Sequence, residues 1–205
     1  MLSLKQPLES EIEINGKRYQ LDLSFDNVLR WYDLMNDDEV NEIGKINFAY
    51  MMFVIDCPDV DIDTKIATVK AISEYIQGDE ETGENDDSNN TKEYLSFEKD
   101  ADYIFASFMQ EYGIDLIEQQ GKLRWEKFIA LFNGMRSETK INQIIGIRAA
   151  DLPTGNSPAE IAERNRLIEL KDLYALDKEA SVSLQEKAMD DMFERLVKSA
   201  QQNKK

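Results

Sequence analysis

The stretch GKLRWEKFIALFNGM, from Gly121 to Met135, sets Trp125, Phe128, Ile129 and Phe132 at i, i+3, i+4 and i+7. This spacing lays four large apolar side chains along one face of an α-helix. No residue suited to obvious chemistry stands among them. Side chains of this size bury the largest apolar areas, so Trp125, Phe128, Ile129 and Phe132 are expected to be structural core rather than a recognition surface.

The same periodicity recurs on both sides. Phe25, Val28, Leu29 and Tyr32 follow Ser24, a candidate N-cap. Ile46, Ala49, Tyr50 and Phe53 form a second stripe, and Ile62, Ile66, Val69, Ile72 and Ile76 a third, entered from CPDVDID. Ala101, Ile104, Phe105, Phe108 and Tyr112 share a face, as do Ile141, Ile144, Ile145 and Arg148. Ser157-Pro158-Ala159-Glu160 has the pattern of a capping box with Pro at the first helical position, and opens a helix expected to reach about Leu176. A last amphipathic helix is expected around Leu184, Ala188, Met192 and Leu196, with the terminal QQNKK frayed.

Strand signals are confined to the N-terminal region. Asn15-Gly16 lies between alternating runs, and a two-residue type I′ turn needs positive φ at both positions. Centring the turn there pairs Ile14 with Lys17, Ile12 with Tyr19, Ser10 with Leu21 and Leu8 with Leu23, and sets Glu13 opposite Arg18. Two strands alone are marginal, so the helix that follows is expected to cover the apolar face of the hairpin.

Six acids, two glycines and no aliphatic residue lie in the segment from Gly78 to Thr91. Such a segment cannot offset its ordering entropy by apolar burial, and it is expected to be a mobile loop or linker. The resulting reading is mainly α: a helical domain with a short N-terminal β-hairpin and a C-terminal helical extension. Its expected parts are residues 1–78, hairpin plus helices; 79–91, the acidic linker; 92–178, a helical core packing with 1–78; and 179–205, the amphipathic helix and tail.

Composition removes whole classes of function. The 205 residues contain no His and one Cys. Ser-His-Asp and Cys-His nucleophiles, His-ligated zinc and the usual general base near neutral pH are therefore absent. No Gly-rich phosphate loop is present, and no cofactor or metal is expected. The net charge of −17 is concentrated: residues 1–90 hold 21 acidic and 7 basic side chains, or −14, which leaves −3 for the rest. That field repels phosphate backbones, so nucleic-acid binding is not expected. The start MLSLKQPLES has no apolar run and no segment approaches the roughly 18 apolar residues of a membrane helix, so a soluble protein of a reducing cytoplasm is expected.

Four features invite a sharper reading. Asp56, Asp59, Asp61 and Asp63 suggest calcium, but the turn glycine and distal Glu of the familiar loop are missing, and aspartates also favour a helix N-terminus. Cys57 has no basic neighbour and is expected to be a buried, inert thiol. Arg148 suits the C-terminal end of a helix dipole, with contact to a partner as the alternative. Met189, Met192, Phe193 and Leu196 form an apolar stripe flanked by acids and are the candidate partner-binding residues, with packing onto the core as the alternative. If that stripe is not the site, the face bearing Phe25 and Tyr32 is the next candidate.

DADYIFASFMQEYGIDL, LRWEKFIALFNGM, TKINQIIGIR and ERNRLIELKDLYAL occur in an order and spacing that resembles the small tail assembly chaperones of long-tailed phages and prophages of Gram-positive bacteria. Genes of that family lie between those for the major tail protein and the tape measure protein. The family pattern has His-Trp-Trp after the leucine of LRWEKF, where this chain has Arg124, Trp125 and Glu126, so only Trp125 and Phe128 carry over there. The resemblance implies a non-enzymatic protein of the host bacterial cytoplasm. It would bind the tape measure protein and keep it soluble while the tail tube forms, and be absent from the mature virion. The major tail protein and a second copy of the chain are further implied partners. An acidic DNA mimic blocking a host nuclease, and an unspecified phage structural or interaction protein, remain as alternatives.

Overall fold

The computed structural model describes Leu2, residues 4–77 and residues 94–176. Asn15 and Gly16 adopt φ values of +52° and +76°, the left-handed region that a type I′ turn requires. They join β1 (Glu11–Ile14) to β2 (Lys17–Gln20). The register is the expected one, with Ile14 opposite Lys17, Ile12 opposite Tyr19 and Glu13 opposite Arg18. The Leu21 N–H also donates to the Ser10 carbonyl at 2.8 Å. The expected pairing of Leu8 with Leu23 gives way to a different one, since the Leu23 carbonyl accepts the N–H of Trp125 at 2.8 Å.

Seven helices are described: α1 (Phe25–Asn36), α2 (Glu42–Phe53), α3 (Ile62–Gln77), α4 (Ala101–Tyr112), α5 (Trp125–Asn133), α6 (Lys140–Ala149) and α7 (Pro158–Leu173). They divide into two compact units. The first comprises the described residues within Met1–Asn85 and Phe108–Met135, and the second those within Asp86–Ser107 and Arg136–Lys205.

In the first unit, two backbone hydrogen bonds fix where α1 and α5 begin. The Phe25 N–H donates to the Leu123 carbonyl at 2.9 Å and the Trp125 N–H to the Leu23 carbonyl at 2.8 Å, an antiparallel bridge of Ser24 with Arg124. Each helix therefore starts with an aromatic residue. Phe25 stacks on Phe128 with ring centroids 4.9 Å apart, and Phe108 also stacks on Phe128, at 5.1 Å. Trp125, Phe128 and Phe132 are buried, and Ile129 is half-buried.

Ser24 stands at the N-cap of α1, but its side chain is taken: its hydroxyl donates to Asp22 Oδ1 at 2.7 Å. The carboxylate of Asp26 instead reaches across to the Gly121 N–H at 2.8 Å. Buried Asn27 donates to the carbonyls of Asp22 and Met52, joining α1 to the end of α2. The indole N–H of Trp31 meets no acceptor among the described residues. Beyond α2 the chain adds to the hairpin, with Leu21 bridging Val54 and the Ile55 N–H donating to Gln20.

The helical support of the hairpin differs from expectation. It is α3, not α1, that packs on β1, because the bridge to Arg124 commits α1 to α5 and α2. The α3 stripe is also only partly covered. Val69, Ile72 and Ile76 are buried, while Ile62 and Ile66 are exposed. Cys57 is half-buried rather than buried. The face of Phe25 and Tyr32 is no free surface, since Phe25 stacks on Phe128 and Tyr32 packs beside Trp125.

In the second unit, Asp100 and Arg148 form a two-pronged ion pair with both N–O distances at 2.7 Å. The side chains are 1% and 8% exposed respectively. Arg148 Nε donates to the Tyr174 carbonyl and Nη1 also to the Tyr94 carbonyl, while Asp100 accepts the Ser96 N–H. The reading of Arg148 as a helix-end cation is therefore incomplete: its position closes α6, but its guanidinium is internal. Buried Ser107 accepts the Ile141 N–H at 3.1 Å and so serves the start of α6. The capping box of Ser157 and Glu160 opens α7, which ends at Leu173 rather than Leu176.

Phe128→Ala and Trp125→Ala should each lose about 3–5 kcal/mol of stability in urea unfolding, the range for truncating a buried Phe or Trp. Asp100→Ala should cost about 3–5 kcal/mol because it strands a buried guanidinium, and adding Arg148→Met should restore a large part of the loss.

Candidate interaction surface

The LRWEKF departure has a local structural account. Arg124 is the N-cap of α5, and no side-chain cap bond is made there. Its guanidinium turns back to Glu126, with Nη2 at 2.5 Å and Nε at 3.1 Å from the two carboxylate oxygens, and donates to the Glu9 carbonyl at 2.6 Å. Glu126 lies in the first turn, where a carboxylate complements the helix dipole. It also accepts the Tyr75 hydroxyl at 2.8 Å. Segments before β1, in α3 and in α5 are thus joined by one polar cluster.

Burial pushes the Glu126 carboxyl up, but the hydrogen bonds from Arg124, from its own backbone N–H and from Tyr75 outweigh it, and its pKa falls below the ordinary value. Burial, reinforced by Glu126, pushes the Tyr75 phenol up. The cluster holds a carboxylate ionised and a phenol neutral, which is a structural arrangement rather than a proton-transfer pair. Asp61 and Glu160 also shift down, held by backbone and hydroxyl donors of Thr64 and Ser157. A general acid needs the opposite direction.

Beside this cluster a cleft of about 150 Å³ is lined by Glu9, Glu11, Ile12, Leu21, Leu23, Ala71, Ile72 and Tyr75. Small-molecule sites commonly have ~300–1,000 Å³, so this one has room for little more than a single side chain. Among the described residues no three His, Cys, Asp or Glu side chains are grouped to hold a metal ion. Of the four aspartates, Asp61 caps α3 by accepting the Thr64 N–H at 2.8 Å, and Asp63 lies in the first turn. No helix among the described residues is long and apolar enough to cross a membrane.

The surface that stands out belongs to α2 and the start of α3. Ala49, Tyr50 and Phe53 bury one side of α2, yet Phe48 and Met51 on another side are 51% and 65% exposed, and Ile43 in the first turn is 65% exposed. Ile55 follows just past the helix, and Ile62 and Ile66 continue on α3, which packs on α2. Large apolar side chains on a second side of a surface helix are normally covered, so these exposed residues make a candidate interaction surface.

Residues 4–176 match the family model described as Bacteriophage Gp15 protein. The chain belongs to that family. It is therefore a phage protein, and its family match spans the hairpin and all seven described helices. No curated protein and no solved structure matches it.

Within this Gp15 family chain, the stripe of Met189, Met192, Phe193 and Leu196 lies outside the described residues and beyond the matched range, as does the helix expected there. The acidic segment 79–91 is also outside the described residues. The α2 surface was open to discovery in the sequence: in EIGKINFAYMMF, Phe48 and Met51, three residues apart, fall off the stripe of Ile46, Ala49, Tyr50 and Phe53. The Arg124, Glu126 and Tyr75 cluster left no comparable trace, since Tyr75 and Glu126 are distant in sequence.

Because the Glu126 pKa is lowered on folding, its stabilisation is full above the unfolded carboxyl value and fades as pH falls through the folded one. Glu126→Gln should cost about 1–2 kcal/mol at pH 7, as for a partly screened charged hydrogen bond. That difference from the wild-type chain should shrink in urea unfolding as pH is lowered from about 6 to 3.

Proposed function

We propose that this phage protein is a tail assembly chaperone that binds the tape measure protein and keeps it soluble while the tail tube is built. The observation that carries the reading is the exposed apolar side of α2 formed by Phe48 and Met51, in a chain of net charge −17. A protein that holds aggregation-prone segments needs apolar surface to grip them and like charge to keep the complexes apart. The family match makes this a phage protein, and the resemblance of four of its sequence motifs to tail assembly chaperones supports the narrower role.

On this reading the protein is non-catalytic and acts in the cytoplasm of a Gram-positive host. It leaves the tape measure protein as tail subunits polymerise, and is not retained in the virion. The major tail protein, which displaces it, is a second partner.

Co-expression with the tape measure protein of the same phage tests the proposal. The expected outcome is a soluble complex that co-purifies by size exclusion, where the tape measure protein alone pellets. A tape measure protein that pellets equally with and without the chain, and forms no complex, removes the proposed function.

A further inference from the structure

The exposed apolar side of α2 carries Phe48 and Met51 and is followed by exposed Ile55 just past the helix. The chain then turns acidic: Asp56, Asp59, Asp61 and Asp63, all four exposed, lead into the first turn of α3, where Ile62 is also exposed. The cations of the two helices do not balance them. Lys45 donates its ammonium to the Met35 carbonyl at 2.6 Å. Lys65 donates to Asn47 at 2.9 Å, with its ammonium 5.7 Å from the centre of the Tyr50 ring. Lys70 pairs with Glu74.

We infer that this face docks a basic amphipathic helix, one with an apolar stripe to meet Phe48 and Met51 and Lys or Arg on its flanks to meet the aspartates. The inference rests on the proposed function, and specifies which kind of segment the chain holds. Complementary charge steers such a helix on and fixes its orientation, while the apolar stripe supplies contact area. A second copy is a poorer occupant, because it brings a second acidic rim and another net charge of −17. Residues 177–205 carry six acidic and six basic side chains and offer no excess of positive charge.

The test measures binding of synthetic helical peptides to the full chain by fluorescence anisotropy. One peptide has Leu at i, i+3, i+4 and i+7 with Lys on both flanks, and the other has Glu in place of Lys. The Lys peptide should bind at least about tenfold tighter at ~0.1 M salt, and lose that advantage as salt is raised. Phe48→Ser with Met51→Ser should weaken it by about tenfold without moving the thermal midpoint, since both positions are exposed. Ile117→Ser, at another exposed apolar position, should leave it unchanged. Asp59→Asn with Asp63→Asn should flatten the salt dependence.

Equal binding of the two peptides, or wild-type binding by the Phe48→Ser, Met51→Ser chain, overturns the inference. So does sedimentation showing a dimer that this double variant splits, which would assign the face to a second copy. A gain in affinity when Met192 and Phe193 are changed to Asp in the full chain would assign it to the chain's own C-terminal segment, with the same consequence. If the wild-type chain keeps the tape measure protein soluble and the Phe48→Ser, Met51→Ser chain does so equally well, this inference fails and the proposed function stands.

Discussion

The backbone bridge between Ser24 and Arg124 is the constraint on which the first unit depends. Two hydrogen bonds between segments about a hundred residues apart would close a costly loop by themselves. They persist because the residue following each bridge partner is aromatic and opens a helix. Phe25 and Trp125 are placed so that both reach Phe128, and Phe108 completes the stack. Backbone pairing sets the geometry and aromatic burial supplies the stabilisation. The same bridge turns α1 away from the hairpin, which leaves β1 to α3.

The second unit is organised by charge instead. Asp100 and Arg148 are both withdrawn from water, so their attraction must offset a large desolvation cost. It can do so because most of the remaining hydrogen-bonding capacity is also used: the guanidinium serves two carbonyls, and the carboxylate accepts a backbone N–H. Such a pair adds little net stability over apolar residues of the same size. It does dictate that the segment from Tyr94 to Asp100, the end of α6 and the end of α7 converge in one way, because any other packing strands a buried charge. Lys171, whose ammonium donates to the Arg148 carbonyl while burial lowers its pKa, ties α7 to the same point.

What could be read from the sequence was what is encoded within a few residues. Asn15-Gly16 fixed the hairpin register because only that turn geometry suits those two residues, and the Ser157 to Glu160 box marked a helix start because both of its hydrogen bonds are local. The stripes of α5 and α6 gave their buried faces for the same reason. Asp100 with Arg148, and Tyr75 with Glu126, were not legible, because their partners stand 48 and 51 residues apart and a chain with 41 acids offers many alternative pairs. The exposed side of α2 was missed differently. Periodicity identifies one apolar face and then stops, whereas the informative feature there is a second one.

That second face has a physical cost. Phe48 and Met51, 51% and 65% exposed, gain less from folding than buried side chains do, and they invite association with other apolar surfaces. Polar residues there would cost the fold little, because Ala49, Tyr50 and Phe53 already anchor the helix. The acidic rim limits the cost, since a wrong partner that is itself acidic, another copy included, is repelled before apolar contact is made. A partner with flanking cations meets no such barrier. In the docking proposed for this face, apolar residues and neighbouring acids divide the work: the first supply the contact area, and the second select for a cationic partner.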